Sequence, residues 1–121
     1  MALKVLIIDD SPVLRIMLSE MLQSLGHTIA GEADCAAAGI KAFRELKPDL
    51  VTLDISLPDE NGLQVLEKLR RIDPAARVIV VTGNDQKAVS DKALQLRALG
   101  VLHKPFDGVE LAAMLEKAAK R

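Results

Sequence analysis

Three aspartates, a threonine and a lysine follow short apolar runs in this 121-residue sequence: Asp9 and Asp10 after residues 5–8, Asp54 after 50–53, Thr82 after 78–81, and Lys104 shortly after 100–102. Three carboxylates gathered at one place repel one another and are pushed toward protonation unless a cation neutralises them. Oxygen-only donors on a partly open site favour a hard divalent ion such as Mg²⁺, which keeps several waters and readily adds a phosphate oxygen. With Mg²⁺ and the Lys104 ammonium the formal charges cancel. An arriving phosphoryl group would then find cations for its oxygens and a carboxylate to attack its phosphorus. Asp54 is the best placed nucleophile, because a strand end leaves its side chain exposed and the turn "ISLPDENG" can offer backbone amides to anionic oxygens.

For these groups to meet, the apolar runs must be neighbouring strands. Residues 5–8, 50–53 and 78–81 are continuous apolar runs, the pattern of strands buried on both faces of a parallel sheet, and 28–31 and 100–102 are weaker copies. Between them, Leu14, Met17, Leu18, Met21, Leu22 and Leu25 recur at spacings of three and four and place one stripe on a helix. Ser11 and Pro12 suit its start as cap and first helical residue. Ile40 with Phe43, Leu66 with Leu69, and Leu111 with Met114, Leu115 and Ala118 mark three more helices, and residues 88–98 a fifth with a less clean stripe. The alternation predicts an α/β fold with a parallel sheet covered on both faces. In such sheets ligands bind outside the carboxyl ends of the strands, where the chemistry-bearing residues stand.

Composition narrows the function classes. The length suits one domain, residues 1–121, with no linker or repeat. Sixteen basic and seventeen acidic residues leave a net charge of −1, which gives no electrostatic case for nucleic acid or membrane binding. Two phenylalanines with no tryptophan or tyrosine offer no stacking platform for single strands. The lone Cys35 cannot form an internal disulfide and reads as a small packing residue. The opening "MALKVLIIDD" is too short an apolar run for a signal or a span, so the chain reads as soluble and cytoplasmic.

Taken together, "LIIDDS", "LDISLP" with a following "NG", "VVTG" and "HKPF" resemble the receiver domain of bacterial two-component response regulators, the chemotaxis regulator type included. The resemblance covers essentially the whole chain. It implies a flavodoxin-like doubly wound sheet of order 2-1-3-4-5 with five helices. It also implies a phosphorylation-activated signalling switch rather than an enzyme acting on an external substrate. By that resemblance Asp54 accepts a phosphoryl group from a histidine kinase or phosphotransfer protein. Asp10 is the direct Mg²⁺ ligand, Asp9 acts through water, and the Ser56 backbone carbonyl completes the protein's share of the shell. Lys104 pairs with the phosphoryl group, Thr82 moves toward it, and the Lys104–Pro105 bond is cis. Ser56 and Asn84 are positions that tune water attack on the acyl phosphate. Downstream partners, or a second copy in a homodimer, would meet the face built from the fourth helix, fifth strand and fifth helix.

Each residue also has a plainer reading: a strand-end aspartate as a cap, a solvated lysine, a threonine bonded to nearby backbone. Their joint occurrence in order on one sheet edge outweighs those readings. His103, next to Lys104, is expected to point away from the site, His27 to be a surface residue, and Asp59 and Glu60 to belong to a solvated loop.

Two departures from the family pattern bear on output. Val101 stands where receivers commonly carry an aromatic ring that turns inward on activation, and valine is too short and stiff for that movement. Arg97 stands where glycine usually ends the fourth helix, so that helix is expected to end differently, nearer Gly100, and the partner face to be altered. Two rivals stay open. A haloacid dehalogenase-type phosphatase would need a second aspartate at the place of Ser56. A pseudo-receiver would bind partners without phosphate. Whether the chain is a stand-alone receiver or part of a longer regulator stays open too.

Overall fold

The computed structural model describes residues 2–83 and 86–119. Strands and helices alternate along the chain as β1 (Lys4–Ile8), α1 (Pro12–Ser24), β2 (Thr28–Ala33), α2 (Ala36–Leu46), β3 (Leu50–Asp54), α3 (Gly62–Ile72), β4 (Val78–Thr82), α4 (Lys87–Gln95), β5 (Gly100–His103) and α5 (Gly108–Ala119). All five strands are parallel, in the order β2-β1-β3-β4-β5. The expected architecture and strand order are both present.

The apolar runs became strands because both of their faces are covered. In β1, Val5 and Ile7 pack with Leu18 and Leu22 of α1 and Leu111, Leu115 and Ala118 of α5. Their neighbours Leu6 and Ile8 pack instead with Phe43 of α2, Val65, Leu66 and Leu69 of α3, and Ala93 of α4. Alternate residues of one strand therefore feed two cores, as a strand's two-residue period requires. Removing a side chain such as Leu66, wholly buried in the larger core, costs about 2–5 kcal/mol. Among the described residues no helix is long and apolar enough to cross a membrane.

Helix boundaries follow local chemistry. Ser11 accepts a bond from the Leu14 amide and Pro12 begins α1, as the sequence led us to expect. Cys35 is more than a packing residue: its sulfur accepts from the Ala38 amide at 3.5 Å and caps α2. The expectation for the fourth helix is overturned. It ends at Gln95, and Arg97 itself takes the left-handed conformation at φ +69° that glycine usually fills. The Arg97 amide bonds to Leu94 O and the Ala98 amide to Ala93 O, both at 3.0 Å, which closes a Schellman ending. Those bonds and the burial of Ala98 hold the arginine there against a preference of only about 1–2 kcal/mol. The helix end therefore gives no reason to expect an altered partner face, and Val101 remains the one departure that does. Lys47 does the same at the end of α2, with φ +48° and ψ +59°.

Candidate functional site

The β-α loops bring the strand-end groups together at the carboxyl edge of the sheet. Carboxylate oxygens of Asp9, Asp10 and Asp54 all lie within 4.8 Å of one another. Asp9 and Asp54 are buried, at 1% and 3% exposure, so the strand end does not leave the Asp54 side chain exposed as expected, while Asp10 is open to solvent. Lys104 reaches in from the β5–α5 connection and sets its Nζ 3.3 Å from Asp9 Oδ2 and 3.7 Å from Asp54 Oδ2. One ammonium thus bridges two buried carboxylates, leaving the cluster short of positive charge. An all-oxygen donor set with one open member fits a hard divalent cation.

Local bonds fix each acid. Asp9 Oδ1 accepts from the Ser11 amide at 2.9 Å, so the start of α1 orients the carboxylate. Asp54 Oδ1 accepts from the Ser56 amide at 3.1 Å, leaving Oδ2 to face Lys104. Burial pushes the Asp54 carboxyl above its ordinary pKa. The Ser56 amide opposes that shift, Asp9 adds to it, Lys104 opposes it, and Asp10 adds to it. A carboxylate destabilised in this way is relieved by a bound cation.

Thr82 is the last residue of β4, buried, with its carbonyl accepting from the Lys104 amide at 2.8 Å. It stands one residue beyond Val81, the register partner of Asp54. Asn84 lies outside the described residues. The Lys104–Pro105 peptide is cis, as the resemblance implied. His103 is exposed, with Nε2 3.4 Å from Ser90 Oγ of α4, and so takes no place among the acids. His27 has a structural part, its Nδ1 accepting from the Leu3 amide at 3.0 Å.

The loop from Asp54 to α3 is pinched shut at its base. Ser56 and Asn61 form an isolated antiparallel bridge, and the Gly62 amide bonds to Ile55 O at 2.8 Å. A β-carbon on Gly62 would stand 2.5 Å from the Asp54 carbonyl oxygen, so only glycine allows this approach. Asn61 then caps α3 through the Leu63 amide at 2.8 Å.

Sequence reasoning missed Asp59. It is exposed, as expected of a solvated loop, yet it also accepts from the Ala36 and Ala37 amides at 2.8 and 3.1 Å and ties the acceptor loop to the start of α2. Those amides hold its pKa below the ordinary aspartate value. Glu60 is also engaged, 2.7 Å from Lys68 Nζ. Nothing in the spacing of the loop signals the Asp59 bonds, because their partners lie 23 and 22 residues upstream.

Comparison with known proteins agrees with this geometry. The model of the response regulator receiver domain matches residues 5–116. The chain is 35% identical over 120 residues to chemotaxis protein CheY of Thermotoga maritima, covering 99% of this chain and all of that protein. It is 39% identical over 101 residues to the transcription regulator BvgA of Bordetella pertussis, covering 84% of this chain and 48% of that one. A LuxR-family response regulator from Aurantimonas superposes with a TM-score of 0.93 at 28% identity, covering all of this chain and 88% of that one. A CheY from Borrelia burgdorferi, in a complex with CheX, BeF3 and Mg²⁺, superposes with a TM-score of 0.93 at 25% identity, covering 96% of this chain and 88% of that one. With its sheet order, its strand-end acids and a family match over nearly its whole length, the chain belongs to the response regulator receiver domains of two-component signalling.

Proposed function

We propose that residues 1–121 act as a single cytoplasmic receiver switched by phosphorylation of Asp54. The carrying observation is the Lys104 ammonium set between Asp9 and Asp54, 3.3 and 3.7 Å from their carboxylates. An Asp54 carboxylate oxygen attacks the phosphorus of a phosphohistidine on a kinase or phosphotransfer protein. The O–P bond forms as the P–N bond breaks, and the imidazole leaves with the bond's electron pair and takes a proton. Asp10, the Asp54 carboxylate and the Ser56 carbonyl would hold Mg²⁺, with Asp9 acting through water. The ion supplies charge neutralisation at the phosphoryl oxygens. The neighbour crystallised with BeF3 and Mg²⁺ supports this reading.

Phosphorylation then gives Lys104 and Thr82 new anionic oxygens to meet, which biases the α4–β5–α5 face toward a second arrangement and so changes its affinity for output partners. Val101, half-buried against the larger core, has no ring to swing, so the signal passes instead through the backbone join of Thr82 to Lys104 and the Ser90–His103 contact between α4 and β5.

The test is intact mass after incubation with acetyl phosphate, with and without Mg²⁺, on the wild type and on Asp54→Asn. A Mg²⁺-dependent phosphoryl adduct absent from the variant is the expected result. No adduct under any condition, together with no binding of beryllofluoride, would instead make the chain a phosphate-independent interaction module. Sustained turnover of a small phosphate ester would revive the phosphatase reading, which Ser56 in place of a second aspartate opposes.

A further inference from the structure

The end of the molecule farthest from the aspartate cluster carries a row of cations. The carboxyl ends of α2, α3 and α4 lie side by side there, because the three helices are neighbours on one face of the sheet. Arg44 and Lys47 stand at the end of α2, Arg70 and Arg71 at the end of α3, and Arg97 just past α4. The acids nearby each have a partner, Glu45 pairing with Lys41 at 3.9 Å. Asp49 accepts from the Lys4 amide at 2.8 Å, Asp73 from the Ala75 amide at 2.9 Å, and Glu67 pairs with Arg71 at 3.5 Å. Arg70 is tied to the Ala76 carbonyl. Arg44, Lys47 and Arg97 are exposed and form no ion pair among the described residues.

Favourable interaction with the helix dipoles accounts for basic residues near helix ends, yet not for these two. Lys47 and Arg97 occupy the only non-glycine positions with positive φ among the described residues, at +48° and +69°. Left-handed backbone costs a side chain about 1–2 kcal/mol relative to glycine. An exposed charge at a helix end returns only about 0.3–1 kcal/mol, less in salt. The two positive-φ positions not filled by glycine therefore both carry cations, and backbone stability does not explain that choice.

Between these cations lie hollows. One of about 310 Å³ opens between the ends of α2 and α3, walled by Phe43, Pro48 and Ile72 and rimmed by Arg44, Lys47 and Asp73. Another joins Arg70 and Pro74 to Leu96 and Arg97. Neighbouring helices stand about 8–10 Å apart, so the row from Lys47 to Arg97 spans about 20 Å, the length of about six residues of extended chain.

We propose that this row is a docking surface for an acidic peptide segment of a partner protein, carboxylates meeting Arg44, Lys47 and Arg97 and an apolar side chain entering the Phe43–Ile72 hollow. A peptide fits better than a nucleic acid, because the hollow offers an aliphatic anchor and the row has no aromatic ring exposed for a base to stack on. The surface is separate from the carboxylate site, and its occupancy is independent of Asp54 chemistry.

The design of the test follows from the strain. Lys47→Gly and Arg97→Gly each remove a cation from a position that glycine fits, so the double variant keeps the fold and melts no lower than the wild type. The probe is a fluorescent peptide of glutamates around a central leucine, titrated into the full chain at low and moderate salt. A charge-matched DNA oligonucleotide serves as comparison, and Lys87→Gln, at the far end of α4, as a net-charge control for each single variant. The expected result is salt-sensitive peptide binding that the double variant weakens about tenfold or more, and the control less than about twofold. No peptide binding at millimolar concentration, equal weakening by Lys87→Gln, or oligonucleotide binding as tight as that of the peptide would each overturn the proposal.

Discussion

In EDTA at neutral pH, Asp54→Asn is expected to melt higher than the wild type. The substitution keeps the side-chain oxygen that meets the Ser56 amide at 3.1 Å and removes only the charge. Asp9 and Asp10 place carboxylate oxygens within 4.8 Å, and at an effective dielectric constant of 20 each repels Asp54 by about 3 kcal/mol. Lys104 Nζ at 3.7 Å returns about 4 kcal/mol. Solvent at the exposed Asp10 discounts that residue's share, so Coulomb terms nearly cancel and desolvation of a carboxylate only 3% exposed decides the sign. The net relief is about 1–2 kcal/mol, or about 5–10 °C in a domain of this size. Because the Asp54 pKa is raised in the folded state, the wild type keeps this stability below the ordinary aspartate value and loses it as pH rises through the raised one. The two melting curves should therefore converge on acidification. Adding Mg²⁺ should raise the wild type more than the variant. Calorimetry across pH in EDTA checks this, and a variant that melts at or below the wild type at neutral pH, or a gap that stays constant into acid, would refute the reasoning.

Other outcomes are expected. Asp59→Ala lowers the melting temperature at neutral pH by releasing the α2 amides. Since the Asp59 pKa is depressed, that loss shrinks as pH falls through the depressed value, which the same scans would show. Thr52→Val raises stability by about 1 kcal/mol in urea unfolding, because Thr52 Oγ1 is buried with no partner among the described residues and valine fills the same volume without a hydroxyl. Gly62→Ala costs about 2 kcal/mol or more, since the added carbon meets backbone atoms of Asp54 and Ile55 that cannot turn aside, and phosphorylation falls with it.

The residues that could be read from sequence are those whose placement follows from strand arithmetic. Asp9, Asp10, Asp54, Thr82 and Lys104 each end or closely follow an apolar run, and a parallel sheet with right-handed crossovers must bring such positions to one edge. The helices showed through their stripes, α1 most clearly because Ser11 and Pro12 mark its start. Asp59 stayed hidden because its partners belong to another element and only the folded chain brings them near. Arg97 misled because the glycine rule at helix ends is a small preference, and the Schellman bonds with the packing of Ala98 outweigh it. Cys35 was misread for a related reason: a sulfur cap is a weak acceptor, and serine or aspartate is the usual sign of a helix start.

The pinch between Ser56 and Asn61 divides the β3–α3 connection into two parts with separate duties. Below it, Ile55 and Gly62 lock the frame of the acceptor. Beyond it, residues 57–60 form a short cantilever whose tip, Asp59, grips the neighbouring helix. An editor of this gene could lengthen the cantilever beyond Leu57, whose side chain is buried in the larger core, while the frame stays in register, uncoupling the second helix from events at the acceptor. The same insertion on the near side of the pinch would throw the acceptor itself out of gauge.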